Sequence, residues 1–355
     1  MSSQLVLRIA TFNVWHGLAG QGVIRFREFE SGKRRQERWN KALRALLDAD
    51  PDILLLQELN PVSQLGRDLV RVLGGRFLGR VDQSGFKLFS HGFPVNLSTG
   101  LGVLVRRGAR FARERDDHTS PPSSLALSGD LGFSGEKFSF QFRERRYAQF
   151  ASVLHPQYGR LLVVNTHLHH GFERFPFLME LLEEALRAKR IRREDFYELL
   201  KSLDRSKERR LREIDGLLEV VERVEADGVL IGGDLNSTPE GAAYQALIAS
   251  GFKDLAVQHE PKPTWDPETN VLNHRLQQSV GFQFPLPDFG NTEFQNIYRA
   301  FDRAPRRIDF LFGRGTLEKV AGVELFGRPP AGDEDFAPSD HYGVLAHYGE
   351  RAIET

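Results

Sequence analysis

The chain has 355 residues, 40% of them hydrophobic and 27% charged, a length that suits one large or two ordinary globular domains with a substantial buried core. Lysine plus arginine equals aspartate plus glutamate at 48 each, so the chain lacks the basic excess of a protein that holds nucleic acid through bulk charge. It has no cysteine, which excludes disulfides, thiolate catalysis and zinc–thiolate centres.

The first apolar run, in MSSQLVLRIATFNVW, is short and broken by Arg8. It reads as a first β-strand and not as a signal peptide, and no stretch approaches the roughly 18 apolar residues of a membrane span. A cytoplasmic location is therefore the default expectation. Short apolar runs at 6–12, 53–56, 102–105, 150–154, 161–165, 229–231, 308–312 and 342–346 predict buried strands. Helices are expected over about 33–48, with Trp39, Leu43, Leu46 and Leu47 on one face, and over about 206–225. Many strands with few helices between them predict an α/β fold, two packed sheets with helices outside. Stretches at about 80–146, 171–204 and 261–306 read as insertions in a single domain spanning 1–355, because strand signals resume after each.

Polar residues recur where these strands end. Asn13, Glu58, His167 and the pair Asp234 and Asn236 each follow an apolar run. Asp309 lies inside Arg307-Ile308-Asp309-Phe310, and Ser339-Asp340-His341 precedes the last run. Taken singly these are ordinary turns, and Gly-Asp-Leu-Asn in particular serves the backbone. Their repeated placement is what carries weight, because strand ends in a layered fold converge on one rim.

The residue types fit phosphate ester hydrolysis, which needs a hard cation, an activated water and relief of charge on the phosphoryl oxygens. Magnesium takes oxygen ligands and few carboxylates, which points to Glu58 with Asn13 and Asp340 beside it, and manganese is the other candidate ion. Asp234 is placed to orient or deprotonate the attacking water, and Asn236 to hold the phosphate. His341 and His167 would donate to the phosphoryl oxygens, with Asp309 orienting His341.

These segments, TFNVW, LLLQEL, VVNTHLH, GGDLNSTP, RRIDFLF and SDHYGV, resemble the motifs of the endonuclease/exonuclease/phosphatase superfamily, which includes deoxyribonuclease I, exonuclease III-like nucleases and neutral sphingomyelinases. The resemblance covers residues 8 to about 346 and implies a four-layer α/β sandwich of two packed mixed sheets flanked by helices. It also implies metal-dependent cleavage of a phosphoester by in-line attack of water.

The substrate is less legible, since specificity in such folds lies in loops. Arg146 and Tyr147 precede a strand where similar proteins carry a cation or a tyrosine facing the phosphate. His169 and His170 extend the HLH element in the manner of sphingomyelinase-like members. Trp265, in a TWDP-x-x-N element ending at Asn270, either stacks on a base or apolar head or packs within a Pro-bounded turn. Phenylalanines crowd the insertions (Phe86, Phe93, Phe133, Phe138, Phe140 and Phe294 among them), as small local cores or as an apolar rim for a lipid or base. The mixed charges of 180–212 suggest a solvated helical hairpin or a dimer contact. A phosphodiesterase is the leading reading, with nucleic acid and phospholipid as candidate substrates and no obligate protein partner. The alternatives are a DNA or RNA nuclease, a sphingomyelinase-like phospholipase C, and a non-catalytic binding descendant.

Overall fold

The computed structural model describes residues 7–20, 24–81, 85–88, 91–112, 121–128, 132–134, 138–141, 146–273, 286–287, 289–328 and 337–349. One mixed sheet runs Gly322–Phe326, Gly343–Tyr348, Leu7–Asn13, Ile53–Leu59, Gly100–Val105, Arg76–Val81 from edge to edge. The other runs Ser124–Ser128, Arg146–His155, Gly159–His167, Gly228–Asp234, Asp309–Gly315, Lys253–Asp254. Each contains one parallel pair, Leu7–Asn13 with Ile53–Leu59 and Gly159–His167 with Gly228–Asp234.

Side-chain alternation makes each central strand two-sided. Leu7, Ile9, Ile53 and Leu55 meet Val153, Leu161, Val163, Leu230 and Leu311 between the sheets. The intervening Ala10, Phe12, Leu54 and Leu56 pack on Trp39, Leu43 and Leu46 of the helix Gly32–Ala49. On the far side, Leu162, Val164, Ile231 and Phe312 pack on Ile214, Leu217 and Val221. Helix, sheet, sheet and helix give the expected four layers. Burying each of these large aliphatic side chains contributes about 1.5–3 kcal/mol relative to leaving it in water.

Every expected strand falls on or overlaps an observed one, although Val6 lies outside the described residues. The expected 33–48 helix spans Gly32–Ala49, opened by the Ser31 hydroxyl accepting from Arg34 N and closed by Asp50 in the left-handed region. The expected 206–225 helix is the end of a longer one, Arg193–Val221, which runs out of the insertion without a break. That continuity changes the reading of 180–212. Phe175, Leu178, Leu182, Phe196, Leu199 and Leu203 form a core with Phe294, Ile297, Tyr298 and Phe301 of the helix Thr292–Arg303, so two insertions share one apolar centre. The first insertion forms a small separate sheet in whose backbone register Phe86 lies opposite Phe93 and Phe133 opposite Phe140, while the phenylalanines at 89, 142, 282 and 284 lie outside the described residues. Among the described residues, no helix is long and apolar enough to cross a membrane.

Candidate active site

The apolar face between the sheets turns polar at one end. Along it, Ile9 is followed by Thr11 and Asn13, Leu55 by Gln57, and Val163 by Asn165 and His167. Gln57 Nε2 donates to Asn165 Oδ1 at 2.7 Å and to Thr11 Oγ1 at 3.1 Å. Asn165 Nδ2 in turn donates to the carbonyls of Leu56 and Gly102. These groups are fully buried, so each would be costly without its partner, and together they stitch the two sheets under the cleft.

Strand register builds the next layer. His167 pairs with Asp234, and Asp234 with Asp309, so three chemically active side chains stand abreast on three neighbouring strands. Gly233 permits this closeness: a Cβ there would come 1.8 Å from the Thr166 carbonyl oxygen, on a backbone with φ +140.

Glu58 reaches the cleft by breaking the alternation. An even position on its strand should face the helices, as Leu54 and Leu56 do. The register shifts between Leu56 and Leu59, and Glu58 has φ +56, which turns its carboxylate inward. There it accepts from His16 N at 3.1 Å and from Asn13 Nδ2 at 3.2 Å. Asn13 Nδ2 also donates to Asp234 Oδ2 at 3.1 Å.

Asp340 and His341 enter from the turn before the last strand. Ser339 Oγ donates to the Asn13 carbonyl at 2.6 Å and also reaches Asp340 Oδ1 at 3.2 Å. Arg38, buried against Glu30 at 2.9 Å, holds the carbonyls of Val14, Trp15 and Pro338 and so ties this turn to the first strand. His341 Nδ1 lies 2.8 Å from Asp309 Oδ2, while its Nε2 lies 3.9 Å from Asp234 Oδ2 and 4.0 Å from Asp340 Oδ1.

The electrostatics follow from burying several acids together. Burial and the charge of Asp309 push the Asp234 carboxyl up to about 7, and burial and Glu58 push Asp340 up to about 6. Burial opposes the charge on His341, yet Asp309, Asp340 and Asp234 outweigh it and raise His341 well above the ordinary histidine range. Burial likewise opposes ionisation of Glu58, but the His16 imidazole beside it and the His16 N–H hold it down at about 2.

Two carboxyls driven upward in one cleft mark negative charge that the neighbouring groups do not offset, and a small divalent cation would offset it. Asp234, Asp309 and His341 bring one ligand atom each within 4.8 Å of one another. His341 Nδ1 is already engaged by Asp309 at 2.8 Å, however, and a hard cation prefers oxygen to nitrogen. The fitting donors are therefore oxygens, Glu58 and Asp340 with the Asn13 amide near them, a set suited to magnesium or manganese.

The remaining expected residues divide. Asn236, at φ +49, donates its backbone N–H to Asp234 Oδ1 at 2.8 Å and its side-chain amide to the Leu168 carbonyl at 3.0 Å. Trp265 stands edge-on to His341 with ring centres 5.2 Å apart and donates to the Asp302 carbonyl, which braces His341. Arg146 contacts His167 and His170. Tyr147 is buried beneath the Arg80 guanidinium, 5.7 Å from its ring centre. The His169 ring lies on the side of Gly171 and Ser206, and burial first, then His170 and nearby arginines, lowers it to about 2.

Sequence reasoning missed His16 at Glu58 and the buried Arg210. Arg210 pairs with Glu173 at 2.6 Å and donates to the carbonyls of His169 and Asn236. The adjacency of His16 to Asn13 was an available signal; the partners of Arg210, distant in sequence or backbone, gave none.

The model of the Endonuclease/Exonuclease/phosphatase family matches residues 10–341. A humanized TDP2 from D. rerio carrying 14 mutations is similar in structure, with 15% identity, a TM-score of 0.55 and coverage of 97% of this chain and 99% of that one. An endonuclease/exonuclease/phosphatase from Bacteroides vulgatus gives 17% identity, a TM-score of 0.55 and coverage of 97% and 98%. A mannosyl-6-phosphatase from Bacteroides thetaiotaomicron gives 14%, 0.51, and 96% and 98%. Identities this low speak for the fold alone. No curated protein sequence matches the chain. The family match runs from the first core strand to His341 and takes in every strand-end motif described above, so the chain belongs to the endonuclease/exonuclease/phosphatase family.

Proposed function

We propose that this protein is a magnesium-dependent phosphodiesterase, with manganese as the second candidate ion, acting through one domain that carries the three insertions. The observation that carries the reading is the in-register rung of His167, Asp234 and Asp309, met by Asn13, Glu58, Asp340 and His341 from the other strand ends.

Glu58 and Asp340 would hold the cation, with Asn13 joining them only through its Oδ1, which here accepts from Trp15 N at 3.1 Å; the cation's contribution when bound is to offset phosphate charge and favour an ionised nucleophile. Asp234, with its carboxyl near 7, is suited to accept the proton of an attacking water. The new bond joins that water oxygen to phosphorus as the ester P–O bond opposite it breaks. His341, kept charged by Asp309, is suited to donate to the phosphoryl oxygens or to the departing oxygen. Asn236 and His167 would add neutral donors on the Asp234 side.

Bis-p-nitrophenyl phosphate, with magnesium or manganese added, tests the reaction, and p-nitrophenyl phosphate beside it separates diesters from monoesters. A monoester is the second reading, favoured by the neighbour named as a mannosyl-6-phosphatase. Activity should vanish in Glu58→Ala and His341→Ala, and no hydrolysis of any phosphoester with either ion would overturn the proposal. Plasmid DNA, short RNA, sphingomyelin and phosphoinositides assayed together would assign the substrate. The balanced charge supports a substrate smaller than a nucleic-acid duplex.

A further inference from the structure

The two histidines beside Asp234 are held by opposite charges. His341 Nε2 lies 3.9 Å from Asp234 Oδ2 and His167 Nε2 lies 3.4 Å from the same oxygen. Behind His341, at Nδ1, stands the carboxylate of Asp309 at 2.8 Å. Behind His167, at Nδ1, stands the guanidinium of Arg146 at 3.0 Å. The second Arg146 nitrogen reaches His170 Nδ1 at 3.1 Å, so one largely buried arginine clamps two imidazoles.

A guanidinium N–H can only donate, so the nitrogen it faces must accept. His167 Nδ1 is then unprotonated and its ring proton sits on Nε2, the atom aimed at Asp234 Oδ2 and, at 3.8 Å, at Glu58 Oε1. A second ring proton would have to occupy Nδ1, directly against the guanidinium. The contrast with His341 is complete, since a carboxylate at Nδ1 favours the doubly protonated ring.

We propose that Arg146 is a positioning residue that fixes His167 as the Nε2–H tautomer, so that His167 presents a hydrogen-bond donor to the cleft at Nε2. This rests on the phosphoesterase reading for its catalytic consequence, but the tautomer itself does not. It also redefines Arg146, expected to face the phosphate directly, as a cation whose effect on the substrate is relayed through an imidazole.

Long-range proton–nitrogen NMR on the full chain labelled with ¹⁵N-histidine reads the tautomer directly, with the His167 signals assigned by their loss in His167→Gln. We expect His167 to show an unprotonated Nδ1 and a protonated Nε2. In Arg146→Met both tautomers should appear, and kcat should fall about 10- to 100-fold with KM nearly unchanged. Arg146→Lys, which keeps a donor, should restore part of both. A proton on Nδ1 of wild-type His167, or an unchanged tautomer in Arg146→Met, would overturn the proposal. The wild-type spectrum decides the matter even where a variant does not fold. If the wild-type protein hydrolyses no phosphoester yet shows the expected tautomer, the functional reading fails and the assignment of Arg146 to His167 stands.

Discussion

Asn13 and Asp234 are 221 residues apart and joined by a 3.1 Å hydrogen bond from the Asn13 amide, whose same nitrogen also reaches Glu58. One neutral side chain thus spans the acid expected to hold the cation and the acid expected to take the proton. Asn13→Ala should lower kcat/KM about a hundredfold, the scale seen when a group that orients metal-site ligands is lost. Circular dichroism should show the fold intact, since Asn13, though buried, belongs to none of the apolar cores. An activity loss under threefold would remove Asn13 from the site.

The pH dependence of the metal-free protein has a definite sign. Asp234 and Asp340 bind protons more tightly when folded, at about 7 and about 6, than at their ordinary value of 3.8. Between those values the folded chain carries more protons than the unfolded one, so stability falls as pH rises. His341, raised well above 6.5, adds the same trend above that value. Below pH 6.5 the lowered His169 acts in the opposite sense, so the melting temperature should drop from about pH 6.5 to about pH 8, and magnesium should raise it more at the upper end. A flat or rising profile without metal would contradict the placement of these acids.

Asp309→Asn removes the charge behind His341 and keeps the shape. His341 should then lose its raised affinity for a proton, and kcat should fall by about 10²- to 10⁴-fold while KM changes little, as for other carboxylates that orient a catalytic imidazole. Equal losses in kcat/KM and gains in KM would instead mark Asp309 as a binding group.

Arg210 is fully buried, pairs with Glu173 and donates to two carbonyls beside the site. Arg210→Met should destabilise the protein by about 3–5 kcal/mol, because Glu173 is left buried without its counter-charge. Urea unfolding measures this. Arg210→Met with Glu173→Gln should recover much of the loss, whereas additive losses would show that the pair does not act as a unit.

The sequence exposed Asn13, His167 and Asp234 because each ends a short apolar run, and a run that stops on Asn, His or Asp announces both a strand and its polar tip, whereas Asp309, Asp340 and His341 stand at or before the start of one. Glu58 was found by the same sign, although its strand should have aimed it at the helices, and only the left-handed backbone at that position corrects the aim. The helix Val62–Leu73 escaped notice. Its buried face uses Gly66, where a Cβ would strike the Phe77 ring at 2.2 Å, so one apolar position in the helical pattern is a glycine. The insertion at 171–204 looked solvated because its charges dominate the composition; the apolar positions between them face a helix about 100 residues later, which no local pattern reveals.

The rung of His167, Asp234 and Asp309 also couples catalysis to chain alignment. Side chains alternate faces with a period of two, so a slip of one residue between Gly228–Asp234 and either neighbour would aim Asp234 at the helices and bring Gly233 or Leu235 into its place. Such a misaligned chain could keep most of its strands and much of its apolar burial and still be inert. If the proposed activity holds, turnover would be an assay of β-strand alignment, able to report a misfolded population that circular dichroism would count as native.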